Sequence, residues 1–380
     1  MATTHAPDTR WTEADCRLDD LLEVLSDRTD PREFPLASEV VSEVLVYDAA
    51  RLLDAREEDA RAELVRAFAD GPGVVVIRGA FPDQAVVDRA TAAFDEMIAE
   101  QRASGAVAGD HFAKPGANDR VWNALEKLAV RAPEVFVEYY ANPVIALVSS
   151  AWLGPGYQVT SQINVVNPGG DAQVGHRDYH LGFMTPSQIE QYPPHVHQLS
   201  PVLTLQGAVA HSDMPVESGP TMYLPHSQKY GPGYLATGRA EFAEHFERNH
   251  VQLPLRKGDA AFFNPAVIHG AGANRSADIR RMANLLQVSS AFGRAMESVD
   301  RDRICRAIYP ALQRHPAPEP AIAAAAEGYP FPTNLDLDPP VDGLAPPSQA
   351  DLVRQALAEG WSQEKFEAEL TEHTARRRTA

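Results

Sequence analysis

The chain has 380 residues, 44% of them hydrophobic and 23% charged, proportions that exclude a disordered, collagen-like or disulfide-scaffold polypeptide. With 52 acidic against 34 basic residues the formal net charge is −18, so the molecular field repels polyanions and nucleic acid is not an expected partner. Cys16 and Cys305 stand far apart with no second cysteine nearby, which argues against a disulfide framework or a thiolate zinc site and for a reducing compartment. No apolar leader and no run of ~18 uncharged apolar residues is present, so neither a signal peptide nor a spanning helix is expected and a cytoplasmic location follows.

In chain order, residues 12–152 read mainly as helix. Thr12 followed by acidic residues is a start signal, and 57–69 and 82–102 carry apolar residues at i, i+3, i+4 spacing. One strand is expected to interrupt them, the β-branched run Val74-Val75-Val76-Ile77 closed by Gly73 and Gly79. A further helix is predicted over 133–153, with Val135, Tyr139 and Val144 on its apolar side.

From 157 to about 292 short β-type runs (157–166, 202–211, 221–224, 260–263, 282–288) are punctuated by Gly, Pro and Asn, the pattern of an antiparallel barrel or sandwich with a helix inserted at 239–246. A Pro/Ala-rich stretch, 315–347, then precedes one amphipathic helix over about 348–372. Tyr329, Phe331 and Leu335 make that stretch too apolar for a solvating linker, so it is expected to adhere to the barrel or to a partner subunit, leaving a homo-oligomer open. The fold class is mainly β with flanking helices (α+β), divided into an N-terminal helical extension (1–70), a barrel domain with supporting helices (71–314) and an arm with a C-terminal helix (315–380).

The strongest chemical signal is Gly175-His176-Arg177-Asp178-Tyr179-His180. In a strand, residues i and i+2 share a face, so His176 and Asp178 together offer an imidazole and a carboxylate to a metal. A third ligand would complete the facial triad that suits non-haem Fe(II). Downstream, a turn at Gly258-Asp259 and an apolar strand lead to His269 followed by Gly270-Ala271-Gly272, where glycine lets the backbone approach closely. His180, two residues past Asp178, would share its face in a strand and is the rival imidazole, as a ligand or a substrate-side group. Gln162 and Asn164 alternate with Ile163 and Val165 and offer a polar face to line a pocket. His195, His197, His211 and Asp213 have weaker claims, and no Gly-x-Ser-x-Gly elbow, Walker A loop or dinucleotide fingerprint is present.

His-x-Asp at 176–178, the segment Glu217-Ser218-Gly219-Pro220-Thr221-Met222-Tyr223-Leu224-Pro225-His226-Ser227-Gln228-Lys229, the Gly258-Asp259 turn and His269-Gly270-Ala271-Gly272 with arginines beyond occur in order. This set resembles the phytanoyl-CoA dioxygenase family of iron- and 2-oxoglutarate-dependent oxygenases over roughly residues 74–292. The resemblance implies a double-stranded β-helix (jelly roll, cupin-like barrel), Fe(II) held by His176, Asp178 and His269 as the catalytic and metal residues, and 2-oxoglutarate and O2 as cosubstrates. The family's cosubstrate arginine lies eleven positions after the distal histidine, which falls on Arg280, with Arg275 and Arg281 as rivals and Gln162 as a further candidate cofactor contact.

The implied reaction is oxidation of a C–H bond of a small molecule, in a setting such as secondary metabolism, with release of succinate and CO2. Hydroxylation is the default, and desaturation, epimerisation and ring closure use the same site; halogenation is disfavoured because Asp178 is present. The competing reading is a non-catalytic or zinc-binding cupin-like protein.

Overall fold

The computed structural model describes residues 10–104 and 116–379. Its strands are β1 (Glu39–Val41), β2 (Val44–Asp48), β3 (Val74–Arg78), β4 (Asn118–Val121), β5 (Gln158–Val166), β6 (Thr204–Ala210), β7 (Met222–Leu224), β8 (Val251–Gln252), β9 (Ala260–Phe263), β10 (Ile268–Gly270) and β11 (Arg281–Ser289). Eight of them hydrogen-bond in the order β1-β2-β3-β9-β6-β11-β5-β4, and three form a second sheet, β10-β7-β8. The β2–β3 pair is parallel, whereas β1–β2, β3–β9, β6–β9, β10–β7 and β7–β8 are antiparallel. This is the double-stranded β-helix with flanking helices that the sequence implied.

The described residues fall into two compact units, each assembled from separate stretches of chain. The first comprises 10–80, 116–119 and 164–285, the second 81–104, 120–163 and 286–379.

In the first unit the two sheets enclose one apolar core. Alternation along the strands delivers Val44 and Val46, Val74 and Val76, Ala208 and Ala210, and Ala261 and Phe263 to that core, where they meet Tyr223, Leu253 and Val267. Outside it, a second cluster gathers Leu21, Tyr230, Tyr234, Phe242, Phe246 and Ile268.

The second unit is mostly helical and also holds parts of β4, β5 and β11. Helices Ala124–Arg131, Pro133–Tyr140 and Arg301–Leu312 pack on one another, and Gln363–Arg377 packs on Arg301–Leu312. The Phe366 ring, fully buried, lies on that of Tyr309 with centroids 4.0 Å apart, and the Tyr309 hydroxyl hydrogen-bonds the carbonyls of Ala356 and Trp361. The tail is therefore core, as its apolar stripe implied. Phe366→Ala is expected to cost about 3–5 kcal/mol, read as a lower midpoint in chemical denaturation; an unchanged midpoint, there and on deletion of residues 316–380, would show a tail that is merely tethered.

Several expected elements differ. The helix predicted over 133–153 is two, Pro133–Tyr140 and Pro143–Leu153, because the Asn142 side chain accepts from the Val144 and Ile145 amides and Pro143 starts a new first turn. The tail helix is likewise two, Gln349–Ala358 and Gln363–Arg377: Gly360 turns left-handed (φ 63°) and Ser362 caps the next start. More than one strand interrupts the N-terminal helices, since β1, β2 and β4 join β3. A helix, Glu319–Ala325, lies within the Pro/Ala-rich stretch. No helix among the described residues is long and apolar enough to cross a membrane.

Candidate metal centre

His269 lies on β10 with Tyr223 of β7 as its cross-strand partner. On its other side it forms an isolated antiparallel bridge with His176: the His176 amide donates to the His269 carbonyl (2.9 Å) and the His269 amide returns the bond (3.0 Å). Directly opposed residues of such a pair project to the same face, and the two imidazole centroids are 4.6 Å apart. Glycine at 270 eases this backbone approach, since a Cβ there would lie a tight 3.1 Å from the Gln173 carbonyl oxygen.

Each imidazole is anchored by its own chain two residues upstream. Nδ1 of His176 lies 2.8 Å from the Val174 carbonyl oxygen, and Nδ1 of His269 lies 2.9 Å from that of Val267. A carbonyl only accepts, so both rings carry a proton on Nδ1, which leaves Nε2 as the atom each ring can offer to a metal. Asp178 meets them: Oδ1 is 3.6 Å from Nε2 of His176 and Oδ2 is 3.5 Å from Nε2 of His269.

Burial alone would raise the Asp178 pKa, but hydrogen bonding and charge from His269, then His176, and the Gln206 amide outweigh it and hold the carboxyl well below the usual range. Burial pushes His176 the other way, lowering its pKa, with His269 adding to the effect. Two Nδ1-anchored imidazoles and one carboxylate, with ligand atoms all within 4.8 Å of one another, form a donor set that fits Fe(II) and leaves coordination positions open.

Arg177, between His176 and Asp178 in sequence, is buried. Its guanidinium donates to the carbonyls of Ser227 and Tyr230 (2.9 Å to the latter) and lies over the Tyr234 ring. Gly233 makes room for it, since a Cβ there would overlap the guanidinium carbon. The 217–229 segment is thus tied to the His-x-Asp turn, and Ser227 Oγ also accepts from the Ile268 amide beside His269. His226 is part of the same scaffold, bonded to Thr29 and Lys229 and held neutral, its pKa lowered to about 4 by burial and by Lys229. Asp259 braces the Gly258-Asp259 turn by accepting from the amides of Gly79 and Arg256.

The His-x-Asp does not lie in a regular strand. After Asp178 the backbone turns through two left-handed residues, Tyr179 (φ 67°) and His180 (φ 41°), into a 3-10 turn, His180–Phe183. The alternation that would have placed His180 beside Asp178 is lost, and His180 Nδ1 instead bonds Ser200 Oγ at 3.0 Å. It is not in the cluster formed by His176, Asp178 and His269.

Among the candidate arginines, Arg275 is exposed and Arg280 half-buried, whereas Arg281, first residue of β11, is buried on the face it shares with Ala283 and Leu285 in the barrel core. Burial lowers the Arg281 pKa to about 10, opposed only by the Tyr223 phenol, and no carboxylate among the described residues pairs with it. Tyr223 is the cross-strand partner of His269 and packs edge-on against Phe263, whose ring is 4.6 Å from that of His269. Gln162 is buried in the second unit, where its Oε1 accepts from Arg120 (2.9 Å).

One contact passed unnoticed in the sequence. Gln206, on β6, donates from Nε2 to Asp178 Oδ2 at 2.6 Å. Its signal was a polar residue in register with Ala208 and Ala210 on the inward face of an apolar strand.

Two anchored imidazoles and a carboxylate on a double-stranded β-helix are a group that could hold a single metal ion. The chain belongs to the phytanoyl-CoA dioxygenase (PhyH) family, whose pattern matches residues 69–282, more than half of its length. It is accordingly an Fe(II)- and 2-oxoglutarate-dependent dioxygenase that uses O2 and acts on small molecules. No curated protein matches the sequence.

Similar solved structures include the non-haem α-ketoglutarate-dependent epimerase SnoN from nogalamycin biosynthesis, with 22% identity over 62% of this chain and 84% of that chain and a TM-score of 0.44. SnoN in complex with Fe3+, α-ketoglutarate and nogalamycin RO gives 19% identity, coverages of 62% and 85% and a TM-score of 0.43. The corresponding values for the carbocyclase SnoK of the same biosynthesis are 22%, 63% and 86%, and 0.45.

Proposed function

We propose that His176, Asp178 and His269 hold the iron, that Arg281 grips the distal carboxylate of 2-oxoglutarate, and that the enzyme hydroxylates a C–H bond of a small-molecule substrate with release of succinate and CO2. The observation that carries this reading is the pair of Nδ1-anchored imidazoles converging with Asp178, all ligand atoms within 4.8 Å. When bound, iron together with 2-oxoglutarate and O2 supplies the oxidising equivalents. The protein's residues do the rest. Val174 and Val267 carbonyls hold the rings in the metal-binding tautomer, and Asp178, ionised at neutral pH, supplies the negative charge.

Arg281 waits as a desolvated cation whose planar fork matches a carboxylate in two parallel hydrogen bonds. Phe263 and Tyr223 keep water from that wall of the barrel. Two buried free thiols, Cys16 and Cys305, support a reducing, cytoplasmic setting.

Anaerobic titration with Fe(II), with and without 2-oxoglutarate, tests the reading. A weak visible band that requires both is expected. Metal uptake without such a band would favour a zinc-binding or purely structural cupin instead.

A further inference from the structure

We propose that Gln206 is a positioning residue that decides which oxygen of Asp178 faces the metal, an inference that rests on the iron-binding reading of His176, Asp178 and His269. Gln206 sits in the middle of β6, its side chain on the core face with those of Ala208 and Ala210. Its amide is oriented by chemistry. A carboxylate only accepts hydrogen bonds, so the 2.6 Å contact to Asp178 Oδ2 must come from the NH2 end, and Oε1 points away. That Oε1 is buried and has no hydrogen-bond partner, and the residue as a whole is 4% exposed.

An apolar side chain would fill this place without stranding an acceptor. The amide is therefore accounted for by its bond to Asp178 and not by packing. That bond engages Oδ2, which also lies 3.5 Å from the His269 Nε2, while Oδ1, 3.6 Å from the His176 Nε2, accepts no hydrogen bond from an amide among the described residues. One oxygen is pinned and the other presented, which favours single-oxygen ligation and keeps the remaining coordination positions for cosubstrates. A neutral donor suits this task better than Lys or Arg, because it orients the carboxylate without cancelling the charge that attracts the metal.

The test uses the full chain with Co(II) as the probe, read by calorimetric titration and by the visible d–d bands, for the wild type, Gln206→Met, Gln206→Leu and His269→Ala. Gln206→Met keeps the length and removes the donor, with Gln206→Leu as a second variant should methionine pack poorly. Each is expected to weaken Co(II) binding about 10–100-fold and to alter the d–d bands. The apo melting temperature should be unchanged or higher, because the stranded oxygen is gone; a residue that merely fills space would move the melting temperature and not the spectrum. Wild-type binding that is lost in His269→Ala but has the same Kd and bands in both Gln206 variants overturns this proposal alone. A wild type that binds no Co(II), or whose binding survives His269→Ala, overturns the triad reading and this proposal with it.

Discussion

His269→Ala and Asp178→Ala are each expected to abolish 2-oxoglutarate turnover, with losses beyond the roughly 100-fold that changes outside the ligand shell produce. Bound iron should fall from one per chain to a small fraction. The fold should survive, because the His176–His269 bridge is made by backbone atoms and the Phe263 ring, which loses its contact with the imidazole, keeps that with Tyr223. His180→Ala, by contrast, removes only the bond to Ser200 and is expected to keep the metal. Iron retained by His269→Ala but lost by His180→Ala would mean that the wrong imidazole has been assigned. The measurements are iron stoichiometry, succinate release and a melting curve for each variant.

Arg281→Ala is expected to raise the KM for 2-oxoglutarate while leaving iron in place. Truncating one partner of a buried charge pair costs about 2–5 kcal/mol, or roughly 30- to several-thousandfold in affinity. Arg281→Lys should recover part of the loss, because a lysine supplies the charge but not the two-pronged geometry. The apo protein, relieved of a desolvated cation that has no carboxylate partner, should melt no lower than the wild type. Arg280→Ala and Arg275→Ala, at half-buried and exposed positions, should leave the KM nearly unchanged. If Arg280→Ala produces the large effect, the family spacing is right and the burial of Arg281 has another purpose.

That pair of arginines shows where sequence reasoning stops. Counting eleven residues from His269 lands on Arg280, but direction depends on strand alternation, and β11 begins at Arg281 with Ala283 and Leu285 facing inward. A register of side chains is set by pairing with neighbouring strands, which no local pattern reveals. The cluster of His176, Asp178 and His269 was legible for the opposite reason: His176 and Asp178 lie two residues apart, and His269 is followed by a glycine at a tight backbone contact. Gln206 was not, since nothing local says that a glutamine on β6 reaches a carboxylate 28 residues earlier in the chain.

The same logic runs through the fold. The β5, β9 and β11 runs are visible in composition, whereas the β1–β2 hairpin lies in a stretch whose pattern reads mainly as helix. Its turn residues, Ser42 and Glu43, both take left-handed φ values (50° and 70°) without the Asn-Gly signature that normally advertises such a turn. His180 lies outside the His176, Asp178 and His269 cluster because Tyr179 bends the chain at a φ that is rarely open to a side chain of its size, and no sequence rule announces that.

The helical unit carries a consequence for biosynthesis. Helices Ala124–Arg131 and Pro133–Tyr140 bury Leu125, Leu128, Phe136 and Val137 in a unit completed by Arg301–Leu312, Glu319–Ala325 and Gln363–Arg377. About 160 residues separate the early pair from Arg301, so a ribosome working at about 5–20 residues per second leaves those faces without their later partners, Arg301–Leu312 among them, for roughly 8–30 s. During that interval the nascent chain displays a sticky helical surface that no later stability can protect. Recovery of native protein then depends on holdase capacity and translation speed more than on the free energy of the finished fold.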